Sequence, residues 1–494
     1  MQSGWAGLHV CNRRSSDRMA SLLLKNGYII TVNANRDVIR NGWIRIEGDS
    51  IRDIGPMENL PSGLGQGAEE TIDLHGMIVI PGLINGHNHH WASLFKNTGE
   101  GLLLEPWLDQ VTIPLMLQLT AEDIRIAAYL GALEQIRTGT TCSLNHVVNV
   151  NSAETMAAMI EPVVRVGIRQ LVSKEVRNTP DPPFSTAYPA FPNPRPLKEE
   201  LAFAESIIDR WDGASGLIHM GLALETGANW MLHNATSDEL ILAGVEFAKK
   251  RNLKITNHCA AGTPWLSIKE FTHATGGGDV EYLFKLGALV DNWVLVHGVH
   301  LKRNEIERVA EAGSSVITNP ASNAYSSDGI APVKTMFELG VNVGLGSDGA
   351  YVNCSMDMVQ QMKFAALIQN VIHYDPTLIS SERALEMATI NTARALGIDH
   401  LVGSLEIGKK ADISIFDFKK THITVPNRPI GALVFTAHGT DVDTVIVNGK
   451  VLLREGKLMG FSDEVAVIEE ATARAHDVIR RAGIADKVFV DWRK

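Results

Sequence analysis

The sequence predicts an α/β protein, a (β/α)8 TIM barrel carrying a small β-sandwich domain built from both chain ends. Three observations lead there. Eight short apolar runs alternate with amphipathic helical stretches through the middle of the chain, the pattern of eight β-then-α units. Both ends instead carry short strands punctuated by Asn-Gly and Gly-Asp pairs. His87, His89, His258, His297 and Asp348 all fall where the apolar runs stop. That is the edge at which barrels of this kind place their chemistry.

The elements follow in order. Residues 1–20 read as an N-terminal extension, with Arg13, Arg14, Asp17 and Arg18 but no apolar core, so no secretory signal is expected. Met19 is an alternative start. Residues 21–80 form the first part of the β-sandwich: Leu22–Leu24, Tyr28–Val32, Trp43–Glu47 and Ser50–Ile54 are strands, separated at Asn26-Gly27, Asn41-Gly42 and Gly48-Asp49. The barrel is expected over 81–398, its strands drawn from Met77–Asn85, Thr140–Asn145, Ile168–Ser173, Leu217–Leu224, Leu253–Asn257, Trp293–Val296, Ser314–Thr318 and Val341–Gly346. Apolar runs of this kind suit parallel strands buried on both faces. Ala121–Arg137, Asp238–Lys250, Arg303–Glu311 and Val333–Leu339 carry helical periodicity between them. Thr179–Pro196 holds seven prolines and reads as a lid or pocket wall. Residues 399–460 complete the sandwich, with Asp412–Phe416 and Thr444–Val447 as strands and Asn448-Gly449 as a hairpin turn into Lys450–Arg454. Residues 461–494 form a helical tail.

Composition narrows the function. The 494 residues are 45% apolar and 20% charged, ample for a large core without disulfides. The formal net charge of −11, with no Lys/Arg stripe, argues against nucleic acid as a partner. No uncharged apolar stretch reaches 18 residues, so no membrane span is expected. Four cysteines (Cys11, Cys142, Cys259, Cys354) lack paired spacing, which fits a reducing, cytoplasmic compartment.

The chemistry lies in the histidines. Residues i and i+2 of a strand share a face, so His87 and His89 can reach one metal. Taken alone, an HxH pair is a common accident. Three further donors, His258, His297 and Asp348, at the ends of the fifth, sixth and eighth runs turn it into a metal site. Imidazoles with one carboxylate and a position left for water make a catalytic site rather than a structural one. A divalent ion there lowers the pKa of bound water to about 7. Zn is expected, with Fe, Co or Mn compatible with the same donors.

The segment Pro81-Gly82-Leu83-Ile84-Asn85-Gly86-His87-Asn88-His89 resembles the opening signature of the amidohydrolase superfamily. The resemblance continues through Thr138-Gly139-Thr140-Thr141, Val296-His297-Gly298, Asn319-Pro320-Ala321-Ser322-Asn323, Gly346-Ser347-Asp348-Gly349, Asn391-Thr392-Ala393 and Gly403–Asp412. It spans roughly Ser21 to Leu458 and is nearest the branch of cytosine, guanine and S-adenosylhomocysteine deaminases and triazine hydrolases such as atrazine chlorohydrolase. The resemblance implies one metal held by His87, His89, His258 and Asp348. Asp348 is then also the base that takes a proton from water, and His297 orients substrate or steadies developing charge. It also implies a homo-oligomer, a dimer or larger.

One departure stands out. The deaminases of that branch carry HxxE at the fifth strand, whose Glu moves a proton to the ring nitrogen, whereas this chain reads His258-Cys259-Ala260-Ala261. A methyl group at Ala261 moves no proton, so Glu175 and Glu225, near the ends of the third and fourth runs, are candidate replacements. Trp91, Trp107, Leu102–Leu104 and Trp230 are candidates for an aromatic pocket wall, and His146 for a polar pocket residue; His90 points away from His89 by strand alternation. No lysine suited to bridging two metals ends the fourth run, so a mononuclear site is expected.

The expected function is metal-dependent hydrolysis of a C–N bond in a small neutral nitrogen compound. The motif set favours an aminohydrolase of an N-heterocycle. The missing Glu favours an amide, urea or carbamate hydrolase. The alternative from another class is a catalytically inactive, ligand-binding barrel.

Overall fold

A computed structural model describes residues 21–63, 70–148, 152–178, 195–226 and 236–490. The expected extension over 1–20, nearly all of the proline-rich loop and Trp230 lie outside the described residues.

The first five strands are β1 (Ser21–Ile30), β2 (Val38–Glu47), β3 (Ser50–Pro56), β4 (Glu70–Asp73) and β5 (Ile78–Pro81). The barrel strands are β6 (Leu83–Asn88), β7 (Thr140–Val147), β8 (Arg169–Glu175), β9 (Ile218–Ala223), β10 (Ile255–Cys259), β11 (Trp293–His297), β12 (Ser315–Thr318) and β13 (Asn342–Leu345). Four more follow near the C-terminus: β14 (Ile413–Phe416), β15 (Val442–Val447), β16 (Lys450–Arg454) and β17 (Lys457–Leu458).

Strands β6 to β13 pair in sequence order as one parallel sheet. Helices such as Ala121–Arg137, Ala153–Val166, Asp238–Arg251, Arg303–Ala312 and Met358–His373 separate or follow them. Between the last strand and the first, the closure is made by local bonds rather than a ladder. The Asp348 N–H donates to the His87 carbonyl at 2.9 Å, and Asn85 exchanges bonds with Ser347, donating to its Oγ at 2.7 Å and accepting its N–H at 2.9 Å.

The chain ends meet in a second sheet of order β17-β16-β15-β14-β5-β1-β2-β3, with β4 beside β1. Antiparallel pairing of β5 with β14, Pro81 opposite Ile413, joins the N-terminal half to the C-terminal half. Leu22, Leu24, Ile44, Ile46, Ile413, Ile415 and Ile446 form its buried core. The tail helix Glu464–Arg481 packs on Ala121–Arg137, where Arg474 and Arg481 reach Asp123 at 3.1 and 2.8 Å.

Three expectations are corrected. The run Met77–Asn85 is not one strand: β5 belongs to the outer sheet and β6 to the barrel, and the chain crosses at Gly82. A Cβ on Gly82 would lie 2.0 Å from Thr141 Oγ1, so only glycine passes there. Asn26-Gly27 is not a turn but a bulge inside the continuous β1, with Asn26 left-handed at φ 58°. Asn41-Gly42 likewise lies within β2. Asn448-Gly449 is a hairpin turn as expected, with both residues at positive φ (52° and 76°).

Candidate metal centre and cavity

The ends of β6, β10, β11 and β13 bring four imidazoles and one carboxylate together. His87 Nε2 and His89 Nε2 lie 3.3 and 3.5 Å from Asp348 Oδ1, and His258 Nε2 lies 3.2 Å from His89 Nε2. The i, i+2 reading of His87 and His89 therefore matches the geometry. His297 Nε2 is 3.9 Å from Asp348 Oδ2, and its donor atoms fall within 4.8 Å of those of His87 and His258.

The backbone is bent to achieve this. Ala260, His297 and Asp348 all have left-handed φ values of 49°, 74° and 63°. Such conformations cost of order 1–3 kcal/mol each in a non-glycine residue and persist only where the surroundings enforce them.

The donors fit a divalent transition metal. Both ring nitrogens of His87 are buried without a hydrogen-bond partner, and burial pushes that ring down to about pKa 3, so it presents neutral lone pairs. The other rings are oriented from behind. His89 Nδ1–H donates to the His146 carbonyl at 2.7 Å, and His258 Nδ1–H donates to Glu225 Oε1 at 2.7 Å. In both rings Nε2 is left to face the cluster. Backing partners of this kind fix the tautomer and raise ligand basicity. His297 is held in the same way, Nδ1–H to Asn323 Oδ1 at 2.9 Å.

Glu225 thus stands behind His258 and does not overhang the cavity. Its second oxygen accepts the His258 backbone N–H at 3.3 Å, and His146 Nε2 lies 2.9 Å from Oε1. Burial alone would raise the Glu225 carboxyl, but the His258 and His146 rings pull it below the ordinary carboxylate range. It is no spare proton carrier. Glu225→Gln is expected to weaken metal affinity about 10- to 100-fold, the usual effect of an outer-shell partner. Chelator competition reads this directly, and unchanged affinity would retire the role.

The remaining candidates separate clearly. His146 is fully buried behind the ligands, its Nδ1 on Thr256 Oγ1 at 3.0 Å, and is not a wall of the cavity. His90 is buried away from the cluster and accepts from Gln135 at 2.8 Å and Gln170 at 3.2 Å. Glu175, buried at the end of β8, also lies outside the cavity lining.

Trp91 and Trp107 do line the cavity. They flank Tyr351, which stacks on Trp107 with ring centroids 4.5 Å apart and lies 5.2 Å from Trp91. Leu104, Leu108, Met116, Val148 and Val352 extend the apolar wall, and Ala261, His297, Asp328 and Asp348 are among its other residues. Tyr351 and Asp328 have no counterpart in the sequence reading. Glu105 ties the wall together by accepting from the Thr263 N–H at 2.8 Å and Ser267 Oγ at 2.5 Å.

Comparison with known proteins agrees with this construction. Residues 78–452 match the amidohydrolase family. The chain is 32% identical over 459 residues to a 5-methylthioadenosine/S-adenosylhomocysteine deaminase of Moorella thermoacetica, covering 93% of this chain and 100% of that one. It is 32% identical to a 5'-deoxyadenosine deaminase of Methanosarcina mazei, covering 94% and 99%. Among solved structures, a zinc-bound adenosine deaminase of Xanthomonas campestris superposes with TM-score 0.82 at 23% identity, over 93% and 99% of the two chains. A zinc complex of atrazine chlorohydrolase from Arthrobacter aurescens gives 0.83 at 22% identity, over 92% and 100%.

The fold and the histidine–aspartate cluster define a metal-dependent hydrolase acting on carbon–nitrogen bonds other than peptide bonds. The chain belongs to the amidohydrolase family. Among the described residues no helix is long and apolar enough to cross a membrane.

Proposed function

We propose that the protein is a zinc-dependent deaminase of a neutral, aminated N-heterocycle, with a 6-aminopurine nucleoside as the preferred substrate class. The observation carrying this is the junction of the donor cluster with the Trp91–Tyr351–Trp107 wall, which offers a flat aromatic face beside a hydrolytic centre. The names of the relatives from Moorella and Methanosarcina support the purine choice. No Lys or Arg lines the cavity among the described residues, which favours a nucleoside over a phosphorylated nucleotide.

His87, His89, His258 and Asp348 hold the ion. When bound it would supply a nucleophile from water at neutral pH. Asp348 accepts the water proton and returns it to the departing amine. Its Oδ2 is steadied by Ser322 Oγ at 2.7 Å and its Oδ1 by the Gly349 N–H at 2.7 Å. His297, fixed by Asn323 through its Nδ1–H, presents the Nε2 lone pair toward Asp348 at 3.9 Å and orients the attacking water by accepting from it. The apolar wall excludes bulk water and strengthens each of these interactions.

The test is a panel of aminopyrimidines, aminotriazines, 6-aminopurine nucleosides, phenylureas and carbamates given to the zinc-loaded protein, scored for ammonia or amine release. Ammonia from an aminopurine nucleoside supports the reading. Amine release from ureas or carbamates alone would replace it, and full metal content with no turnover would favour the inactive binder.

We also infer a homo-oligomer in the cytoplasm. Helix Met358–His373 exposes Phe364, Leu367, Val371 and Ile372 along one side, Val371 at 67%. Cys142, Cys259 and Cys354 are free thiols, as suits a reducing compartment. A monomer by light scattering would remove the oligomer.

A further inference from the structure

We propose that Asp328 is the proton donor of this site, protonating the ring nitrogen of the heterocycle while the amino-bearing carbon is attacked. The inference rests on the deaminase reading above. A heterocycle accepts a nucleophile only if its ring nitrogen takes up the displaced electron pair, and a nearby acid makes that step feasible at neutral pH. The cavity must therefore hold a carboxyl that is neither a metal ligand nor tied up in structure.

Asp328 meets that description. It lines the cavity together with Ala261, His297 and Asp348, and only 5% of it is exposed. The other acids are occupied: Glu225 backs His258, and Glu105 accepts from Thr263 and Ser267. Among the described residues no ion pair reaches the Asp328 carboxyl, whereas Glu105 is spoken for and Asp348 belongs to the donor cluster. Its place is fixed by the backbone. The Asp328 N–H donates to the Asn323 carbonyl at 2.9 Å, and its neighbours Ser327 and Gly329 are both at positive φ (58° and 123°). Asn323 is also the residue that holds His297, so the donor and the imidazole hang from one anchor.

The charged surroundings suit a carboxyl that keeps its proton. Burial pushes Asp328 up to about pKa 7, against the Ser326 hydroxyl bond, and the negative charges of Glu105 and Asp348 add to the rise. His300, the other titratable group beside it, meets its backbone rather than its carboxyl. Below about pH 7 the acid form prevails, so a donor role predicts a rate that falls as pH rises through that value.

The step balances in protons. Asp328 gives its proton to the ring nitrogen as the water oxygen bonds to carbon and Asp348 takes one water proton. Asp348 then passes that proton to the amino group, the C–N bond breaks and ammonia leaves. As the carbonyl forms, the hydroxyl proton returns to Asp328.

The test uses the zinc-loaded full chain with 5'-deoxyadenosine as probe. Asp328→Asn should lower kcat/KM by about 10²- to 10⁴-fold, the usual worth of a positioned acid. Metal content by elemental analysis should be unchanged, and the alkaline limb near pH 7 should vanish. An infrared band of a protonated carboxyl, present in the wild type at pH 6, should be missing from the variant. Ala261→Glu added to Asp328→Asn should restore at least part of the rate, which a merely misfolded variant would not allow. A rate within threefold of wild type with the limb and band intact overturns the donor role alone, because the wild type would still deaminate. A wild type that turns over only ureas or carbamates overturns both readings together.

Discussion

His87→Ala is expected to strip the metal and lower turnover by more than about 100-fold, beyond the range seen for outer-shell partners. The reason is its position. His87 faces Asp348 Oδ1 at 3.3 Å, and its donor atoms also fall within reach of His258 and His297, so it links the carboxylate to both of those rings. It is also the ring whose buried nitrogens have no other partner, so the cavity offers nothing to replace it. Elemental analysis should return close to one metal per wild-type chain and far less in the variant. Two metals per wild-type chain, or full activity in a metal-free variant, would contradict the assignment.

Asp348→Asn is expected to behave differently, losing about 10²- to 10⁴-fold in rate while keeping much of its metal. An amide can keep its oxygen on the Gly349 N–H, and the Ser322 hydroxyl can turn to accept from the new NH2 group. The shape of the site therefore survives, but the amide cannot take a proton. Metal content measured beside kcat separates the two duties. An Asn variant with wild-type metal and more than about a tenth of the rate would remove Asp348 from the base role.

The donor cluster was legible because each member ends an apolar run, and HxH spacing needs only strand geometry to be read. The first barrel strand was harder. All six residues of β6 are buried, as are all four of β5, so no alternation marks where one sheet ends and the next begins. Only the contact of Gly82 with Thr141 reveals the crossing, and that contact spans two elements. Glu225 was visible as a carboxylate at a strand end, but its direction depends on where His258 sits, which periodicity does not encode. Asp328 lies in an irregular segment beyond β12, and Tyr351 and Glu105 lie in the one-turn helices Ala350–Asn353 and Leu104–Trp107, too short for a period of 3.6 to show in sequence. Long-range bonds such as Glu105 to Thr263 position them instead. Trp91 and Trp107 follow β6, on the edge where barrels of this kind place their sites, and both line the cavity.

The seam of the barrel has a mechanical consequence. The bonds that join β6 to β13 link Asn85 with Ser347, residues 262 positions apart, and His87 with Asp348. His87 and Asp348, two of these four, are also members of the donor cluster. An ion held by His87 and His89 on one edge and Asp348 on the other would therefore act as a rivet across the gap in the ladder between β13 and β6. Any ligand that binds only the folded state stabilises it by mass action, and here the gain is concentrated at a single joint. Chelation should consequently loosen this protein from the seam outward, with amide exchange rising first along β6 and β13 while the outer sheet, stitched through β5 and β14, stays closed.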